Sequence, residues 1–421
     1  MIRSVHRVAP ATGTPIRQDS LRAHNLVLTF QQIVDARQAP ISRSELAAGT
    51  GLTRPTISRI VDELLTAGLI VEAGPARSGT SGRPRVGLSL ARTGPAGLGL
   101  DIRAGALSAC VVDLTGTVRH LEFAPHNGRD RPAEETLHSL ARMARTAIRA
   151  AADDDLTVVG ATFAAPGRVE NTSVVRRAPA LGWHDVDAGA ALSRLIGSAA
   201  VPVVVGNDAA LSTLGELYAG APEPRGFVCV SGEFDIGAGI VLDGRPLRGH
   251  RGHLGHVLVD SAGPPCVCGA SGCLQGYAGL REILAAAGHD GPAEAPAVAI
   301  DALVSAGSPA VLHALDRAAT GLGIAISGLL NLVEVDTVLL GGGYSLLSSW
   351  LVEGIEREIR DRVLSARWTP VQVRPAPLGP DAAVIGAALD AIDTVRRDPN
   401  RWLAQPRRQD GQPRQASQSS A

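Results

Sequence analysis

The chain has 421 residues and a formal net charge of −1. With 45% hydrophobic and 19% charged residues it is a globular chain rather than a disordered one, and at about 150 residues per domain its length predicts two or three domains. All 40 basic residues are arginine, which excludes a lysine Schiff base, a catalytic lysine and a Walker-type phosphate loop.

Charge is unevenly distributed. Residues 1–92 hold 12 Arg against 6 acids, residues 93–392 hold 22 against 32, and residues 393–421 hold 6 against 3. A basic N-terminal module on an acidic body predicts an anionic partner for the module, most simply nucleic acid. The first residues lack an apolar stretch long enough for a signal peptide. The most apolar long segment, 321–343, is interrupted by Asn331, Glu334 and Asp336. No membrane span is expected, and the expected location is cytoplasmic.

Residues 1–19 are polar, carry Pro10, Gly13 and Pro15, and are expected to form a mobile arm. Leu21, Leu26, Leu28, Ile33 and Val34 outline a first helix. Ser42 and Glu45 have the spacing of a capping box for a short second helix through Ala48. Residues 49–52 (GTGL) form the turn. Thr53 caps a third helix with Pro55 in its first turn. In it Ile57, Ile60, Val61, Leu64 and Leu65 make one apolar stripe, leaving Arg54, Thr56, Ser58 and Arg59 on the opposite side. A recognition helix presents that side to base edges in the major groove, where Arg59 suits guanine and Thr56 and Ser58 suit phosphates or a thymine methyl. The competing reading is an ordinary helical hairpin with a solvated face. Two strands, Gly68–Glu72 and Val86–Leu90, joined by a loop over 73–87, complete a winged helix-turn-helix. In that loop Arg83 and Arg85 flank Pro84, a pattern suited to a narrow minor groove or simply to phosphates.

From residue 95 strand-like and helix-like segments alternate, as in an α/β fold. Strands are predicted at 98–102, 107–114, 118–123, 158–163 and 203–208. A pair at 227–231 and 237–242 is assigned to the turn Asp243–Gly244. A further strand at 338–340 runs into Gly341–Gly342–Gly343, and a final helix covers 382–391. From 393 onward no apolar periodicity remains, and disorder is expected.

His256, Cys266, Cys268 and Cys273 form the strongest motif, the last three within CVCGASGC. Three thiolates and one imidazole make a closed tetrahedral zinc site with no position for a reactive water, hence a structural metal. The alternative is a cluster of free thiols. Gly269 and Gly272 allow the tight path the loop needs. Cys110 and Cys229 lie in apolar strands as core residues.

Over residues 20–392 the chain resembles the ROK family (repressors, open reading frames and kinases), in its repressor branch. The resemblance implies an N-terminal winged helix-turn-helix plus a two-lobed, actin-like sugar-kinase fold. The implied domains are a winged helix at 20–92, a first lobe at 93–220 with the final helix 382–392, a second lobe with the zinc loop at 221–381, and a tail at 393–421. Asn207–Asp208 match the pair that holds the sugar in family kinases; they also suit a helix cap. The family's Glu-x-Gly-His reads His253–Leu254–Gly255–His256, and the Glu after its last zinc cysteine reads Gln275. Ligand binding is thereby assigned to Asn207, Asp208, His253, His256 and Gln275, with two sugar-accepting carboxylates lost. Gly167 and Trp183 stand where members line the cleft; Trp183 is equally suited to the core.

The family's phosphate apparatus is altered. Its Asp-x-Gly-Gly-Thr-Lys loop reads Asp101–Ile102–Arg103–Ala104–Gly105–Ala106, and its Gly-Thr-Gly reads Glu233–Phe234–Asp235. Bulk would block backbone approach, and a carboxylate about 4 Å from a phosphate charge costs about 4 kcal/mol at an effective dielectric of 20. The glycines 341–343 would face adenosine or serve as a structural turn. The expectation is a non-enzymatic regulator, in the sense of a repressor, of carbohydrate-related genes. It would bind operator DNA as a homodimer or homotetramer, with structural Zn2+ and a sugar-type effector. The alternatives are a sugar kinase with an appended DNA-binding domain, and a regulator answering to a protein partner or to no sugar.

Overall fold

The structure is a computed structural model that describes residues 18–36, 39–75, 86–126, 131–198, 201–219, 226–247, 252–289 and 295–404. These divide into two compact units: the residues up to Ala91 with those from Thr394 onward, and the residues from Arg92 to Asp393.

In the first unit helix α1 (Gln18–Asp35) buries Leu26, Phe30 and Ile33 on one stripe, while Leu21 stays exposed. The helix begins inside the expected arm, and its core anchor is Phe30 rather than Leu28 or Val34. Strand β1 (Ile41–Ser42) leads into helix α2 (Arg43–Thr50). The capping box is formed: Ser42 N–H donates to Glu45 Oε2 at 2.8 Å and Glu45 N–H donates to Ser42 Oγ at 3.3 Å. Gly51, at φ +72°, ends the helix in the left-handed region. Thr53 caps helix α3 (Arg54–Thr66), which buries Ile57, Ile60, Val61 and Leu64. Strands β2 (Ile70–Pro75) and β3 (Val86–Leu90) pair antiparallel, and β1 joins the free edge of β3. The two-residue β1 carried no signal, being too short for an alternating pattern.

The second unit holds two five-stranded sheets. In the first, β4 (Gly94–Arg103), β5 (Ala106–Asp113) and β6 (Val118–Pro125) form an antiparallel meander. Helix α4 (Ala133–Asp153) leads to β7 (Leu156–Ala165), parallel to β4. A small sheet of β8 (Arg168–Glu170), β9 (Val174–Ala178) and β10 (Trp183–Asp187) follows. Helix α5 (Ala188–Ile196) then leads to β11 (Val203–Asn207), parallel to β7, and helix α6 (Asp208–Ala219) closes the lobe. The second sheet repeats the plan. Strands β12 (Phe227–Gly232), β13 (Ile236–Leu242) and β14 (Arg245–Pro246) form a meander. Helices α7 (Gln275–Ala278), α8 (Leu280–Ala286), α9 (Pro296–Ser305) and α10 (Pro309–Leu330) precede β15 (Thr337–Gly342), parallel to β12. Helices α11 (Gly343–Leu346) and α12 (Ser348–Arg362) lead to β16 (Gln372–Pro375), parallel to β15.

Each sheet therefore has a central strand paired antiparallel on one side and parallel on the other, the repeated plan of a two-lobed actin-like fold. The central strands are buried on both faces, which is why β4 and β12 read as nearly unbroken apolar runs. Helix α13 (Ala382–Arg397) returns to the first lobe and lies directly on β4. A Cβ at Gly97 or Gly99 would run into the carbonyls of Ala388 and Val384, so only glycine lets the helix approach this closely.

Two sequence expectations need correction. Asp243–Gly244 does not join the 227–231 and 237–242 strands; it closes β13 onto β14, with both residues at positive φ. The turn between β12 and β13 is Glu233–Phe234–Asp235, because Gly232 pairs with Ile236. The chain also continues in helix past 393, within 393–397 and 400–403, and residues 405–421 lie outside the described residues. Helix α13 runs to Arg397 and a short helix α14 (Asn400–Leu403) follows. Asp398 Oδ1 accepts the Asn400 N–H at 3.2 Å, and Trp402 Nε1 donates to Ala67 O, at the end of α3, at 2.9 Å. One indole anchors a segment whose overall composition is polar. Among the described residues no helix is long and apolar enough to cross a membrane.

Candidate functional sites: a recognition helix, a metal loop and a cleft

The polar side of α3 follows from its caps and stripe. Arg54, Ser58 and Arg59 are exposed. Thr56 is half-buried, and its hydroxyl lies 2.9 Å from Thr53 Oγ1 at the cap. Thr56 thus serves the helix start as well as facing outward. Other arginines of the unit are engaged in surface pairs: Arg22 with Glu63 at 2.6 Å, and Arg43 with Glu72 at 3.2 Å and Asp62 at 3.5 Å. Arg83 and Arg85 lie outside the described residues.

The structure brings His256, Cys266, Cys268 and Cys273 together, with one ligand atom from each lying within 4.8 Å of the others. Cys268 Sγ and Cys273 Sγ are 3.7 Å apart, and Cys266 Sγ is 3.6 Å from His256 Nδ1. A tetrahedral ion with bonds of about 2.3 Å to sulfur and about 2.0–2.1 Å to nitrogen would separate its ligands by about 3.8 and 3.6 Å. Those two spacings match the edges of a four-coordinate metal site. The loop is shaped by Gly272 at φ +72°, where a Cβ would collide with Asp260 O. The hydrogen bond from Cys266 N–H to Ala270 O, at 2.7 Å, also holds its shape.

In the cleft, Asn207 ends β11 and Asp208 begins α6. Asn207 Nδ2 donates to Gly167 O at 3.1 Å and to Asp208 Oδ1 at 3.0 Å, while Asn207 Oδ1 accepts the Ala210 N–H at 3.1 Å. The pair therefore does cap the helix. Burial, with Asp101 and Asp235 nearby, lifts the Asp208 carboxyl to about 8, so at neutral pH it is largely a neutral acid. Segment 252–256 runs from the Asn207 side to the Gln275 side: a Cβ on Gly252 would sit 3.3 Å from Asn207 Oδ1 and one on Gly255 2.9 Å from Gln275 Oε1. The His253 and His256 rings lie 6.5 Å apart.

Gln275 is tied to the neighbouring turn as well as lining the cleft pocket. It is buried, its Oε1 accepts the Ile236 N–H at 2.9 Å, and its Nε2 donates to Phe234 O at 3.4 Å. Both ends of the amide hold the β12–β13 turn. Trp183 is a core residue, 2% exposed and 6.5 Å from the Phe163 ring.

The altered phosphate positions are filled. At the β4–β5 turn Arg103 Nε donates to Asp101 Oδ2 at 3.1 Å, its Nη1 lies 3.0 Å from Asp381 Oδ1, and its guanidinium stands 4.9 Å over the Phe123 ring. On the β12–β13 turn, burial raises the Glu233 carboxyl to about 7 against the opposing field of Arg103. Beside this turn is a pocket of ≈ 300 Å³, lined by Pro179 and Ala180 of one lobe and Phe234, Asp235, Gln275 and Arg281 of the other. Sequence reasoning missed the Arg103 partner Asp381, which lies far along the chain. It also missed Glu216, whose carboxylate accepts the Leu378 N–H at 3.0 Å and is raised to about 7 by burial.

Residues 97–393 match the ROK family. The xylose repressor of Bacillus subtilis is 26% identical over 386 residues, covering 89% of this chain and 97% of the repressor. The crystal structure of a ROK family transcriptional regulator, a homolog of the E. coli MLC protein, superposes with a TM-score of 0.71 at 26% identity, covering 89% of this chain and 97% of its own. The ROK hexokinase of Thermus thermophilus superposes with a TM-score of 0.57 at 28% identity, covering 72% of this chain and 99% of its own. The two regulators thus match a larger share of this chain than the hexokinase does. With the match spanning both lobes of the second unit, this chain belongs to the ROK family.

Proposed function

We infer that this protein is a sugar-responsive transcriptional repressor in which the ROK body senses the effector and phosphoryl transfer is absent. The observation that carries this is the combination of two features in one chain. A capped winged helix-turn-helix exposes Arg54, Ser58 and Arg59 on α3. The body's two altered turns carry Arg103, paired with Asp101 and Asp381, and Glu233 with Asp235 between β12 and β13.

In this reading α3 enters the major groove, with Arg59 reading base edges and Arg54 and Ser58 contacting phosphates, while Arg83 and Arg85 contact the minor groove or the backbone. Two copies present two such helices to a palindromic operator. The His256, Cys266, Cys268 and Cys273 set holds Zn2+, which supplies a rigid cross-link and no reactive water. The effector sits by Asn207, Asp208 and His253. The xylose repressor match makes xylose the first sugar to test. Asp208, buried and raised, donates or accepts a hydrogen bond to a sugar hydroxyl; no cradle is left for a triphosphate donor.

The test has two arms. The protein should enrich one duplex sequence from a random pool, and one sugar should change its affinity for that duplex. ATP consumption with any sugar acceptor would reinstate the kinase reading.

A further inference from the structure

We propose that the metal loop is a clasp between the two lobes, fastened by Arg177, and that metal content thereby sets how tightly the pocket between them closes. This goes beyond the repressor reading and does not depend on it. Arg177 lies on β9, in the small sheet of the first lobe. Its Nη2 donates to Val267 O at 2.9 Å. Val267 stands between Cys266 and Cys268, two of the four clustered metal-ligand residues of the second lobe. The adjacent Arg176 is engaged inside its own sheet, with Glu170 and Asp185.

Both ends of the Arg177–Val267 bond are held. In the first lobe Val175, Ala178 and Leu181, on either side of Arg177, are buried in the hydrophobic core. In the second, the Cys266 N–H donates to Ala270 O at 2.7 Å, the Gly269 N–H to Cys266 O at 2.9 Å and the Gly272 N–H to Pro264 O at 2.8 Å. These bonds shape the knuckle, and ligation of both flanking cysteines fixes the direction of the Val267 carbonyl. The Val267 side chain is 62% exposed, so core packing does not hold it in place. It forms part of the wall of the ≈ 300 Å³ pocket, together with Pro179 and Ala180, which directly follow β9.

The bond therefore spans the rim of that pocket. A single hydrogen bond of this kind supplies only about a two- to tenfold bias, which suits a closure that has to reverse. It needs the carbonyl at a set place, and metal ligation on both sides of Val267 is a constraint that the loop's own hydrogen bonds lack. Linkage makes the effect mutual: a metal that favours the fastened clasp is bound more tightly by it, by the same factor.

Hydrogen exchange on the full-length protein tests this, zinc-loaded and after chelation, with elemental analysis and a thermal melt as controls. The readout is segment 178–183 of the first lobe, which contains no residue of the metal cluster and includes the bond from Gly182 N–H to Pro179 O at 3.2 Å. In the wild type, chelation should speed its exchange about two- to tenfold. Zinc-loaded Arg177→Ala should match the chelated wild type there, and chelation should add nothing further. The same variant should bind zinc about two- to tenfold more weakly in competition with a chelator. Arg177 is exposed, so the variant is expected to fold. Should the chelated protein unfold, the zinc-loaded pair still decides. Equal exchange at 178–183 in zinc-loaded wild type and Arg177→Ala would overturn the clasp. Chelation that speeds this segment equally in both proteins, or equal zinc affinity, would overturn its dependence on the metal.

Discussion

Arg103 Nη1 and Asp381 Oδ1 meet at 3.0 Å, joining the β4–β5 turn to the segment that opens helix α13. The same guanidinium neutralises Asp101, which is 2% exposed. Burial raises the Asp101 carboxyl and the Arg103 charge opposes that rise. Removing the arginine leaves a buried carboxylate to be protonated or hydrated. Arg103→Ala should therefore cost about 2–4 kcal/mol of stability, below the ceiling for a fully buried pair because Asp381 is partly exposed. Pairing Arg103→Leu with Asp101→Asn should recover much of that loss. Urea denaturation of the single and double variants decides the point; equal stability of Arg103→Ala and wild type would show that the pair is idle.

The raised carboxyls set a pH dependence. Asp208 moves to about 8, and Glu233 and Glu216 to about 7, with burial the leading cause in each. The folded state then holds more protons than the unfolded chain between about pH 4, the ordinary carboxyl range, and the raised values. Stability from these groups is complete below that range and is lost as pH rises toward 8. The slope is at most about 1.4 kcal/mol per pH unit for each group. Asp208→Asn mimics the neutral acid and can still accept from Ala209, so it should flatten the decline and equal or exceed wild-type stability at pH 8. Melts from pH 5 to 8.5 test this, and an undiminished slope in Asp208→Asn would assign it elsewhere.

The metal loop makes a stoichiometric prediction. The purified protein should carry one zinc per chain, and Cys268→Ser should lose it, with loss of the effector response, because the loop begins at His256 beside His253. Elemental analysis alongside operator binding reads both. A metal-free variant that still answers to its sugar would separate the site from sensing.

On the recognition helix the side chains divide by role. Arg59→Ala should weaken specific operator binding by about 1–3 kcal/mol and relax specificity at one base pair. Thr53→Ala should instead cost about 1 kcal/mol of folding stability through the lost cap. Anisotropy titrations and melts on the two variants would show opposite patterns. An Arg59→Ala variant with unchanged affinity would remove that residue from base readout.

What the sequence made legible was whatever is written locally. The Ser42–Glu45 box, the stripe from Ile57 to Leu64 and the spacing of the cysteines each lie within a few turns of chain, and the structure forms all three. The ion pair of Arg103 with Asp381 and the hydrogen bond from the Leu378 N–H to Glu216 join distant segments, and no local pattern announces them. The β12–β13 turn was missed because Asp243–Gly244 is a stronger turn signal nearby. Gln275 was assigned to the ligand from its position after Cys273, and its hydrogen bonds to Ile236 and Phe234 depend on where β12 and β13 fold back. Of the tail expected to be disordered, residues 393–397 and 400–403 are instead helical and the segment is held by the Trp402 hydrogen bond, while 405–421 lie outside the described residues.

The most direct test of the repressor assignment is fluorescence anisotropy of the full-length zinc-loaded protein on the duplex it enriches from a random pool, with and without xylose and related sugars. The account predicts binding at least about 10³-fold tighter than to a scrambled duplex, shifted about 5- to 150-fold by one sugar. Equal affinity for both duplexes, unaltered by every sugar, would contradict it.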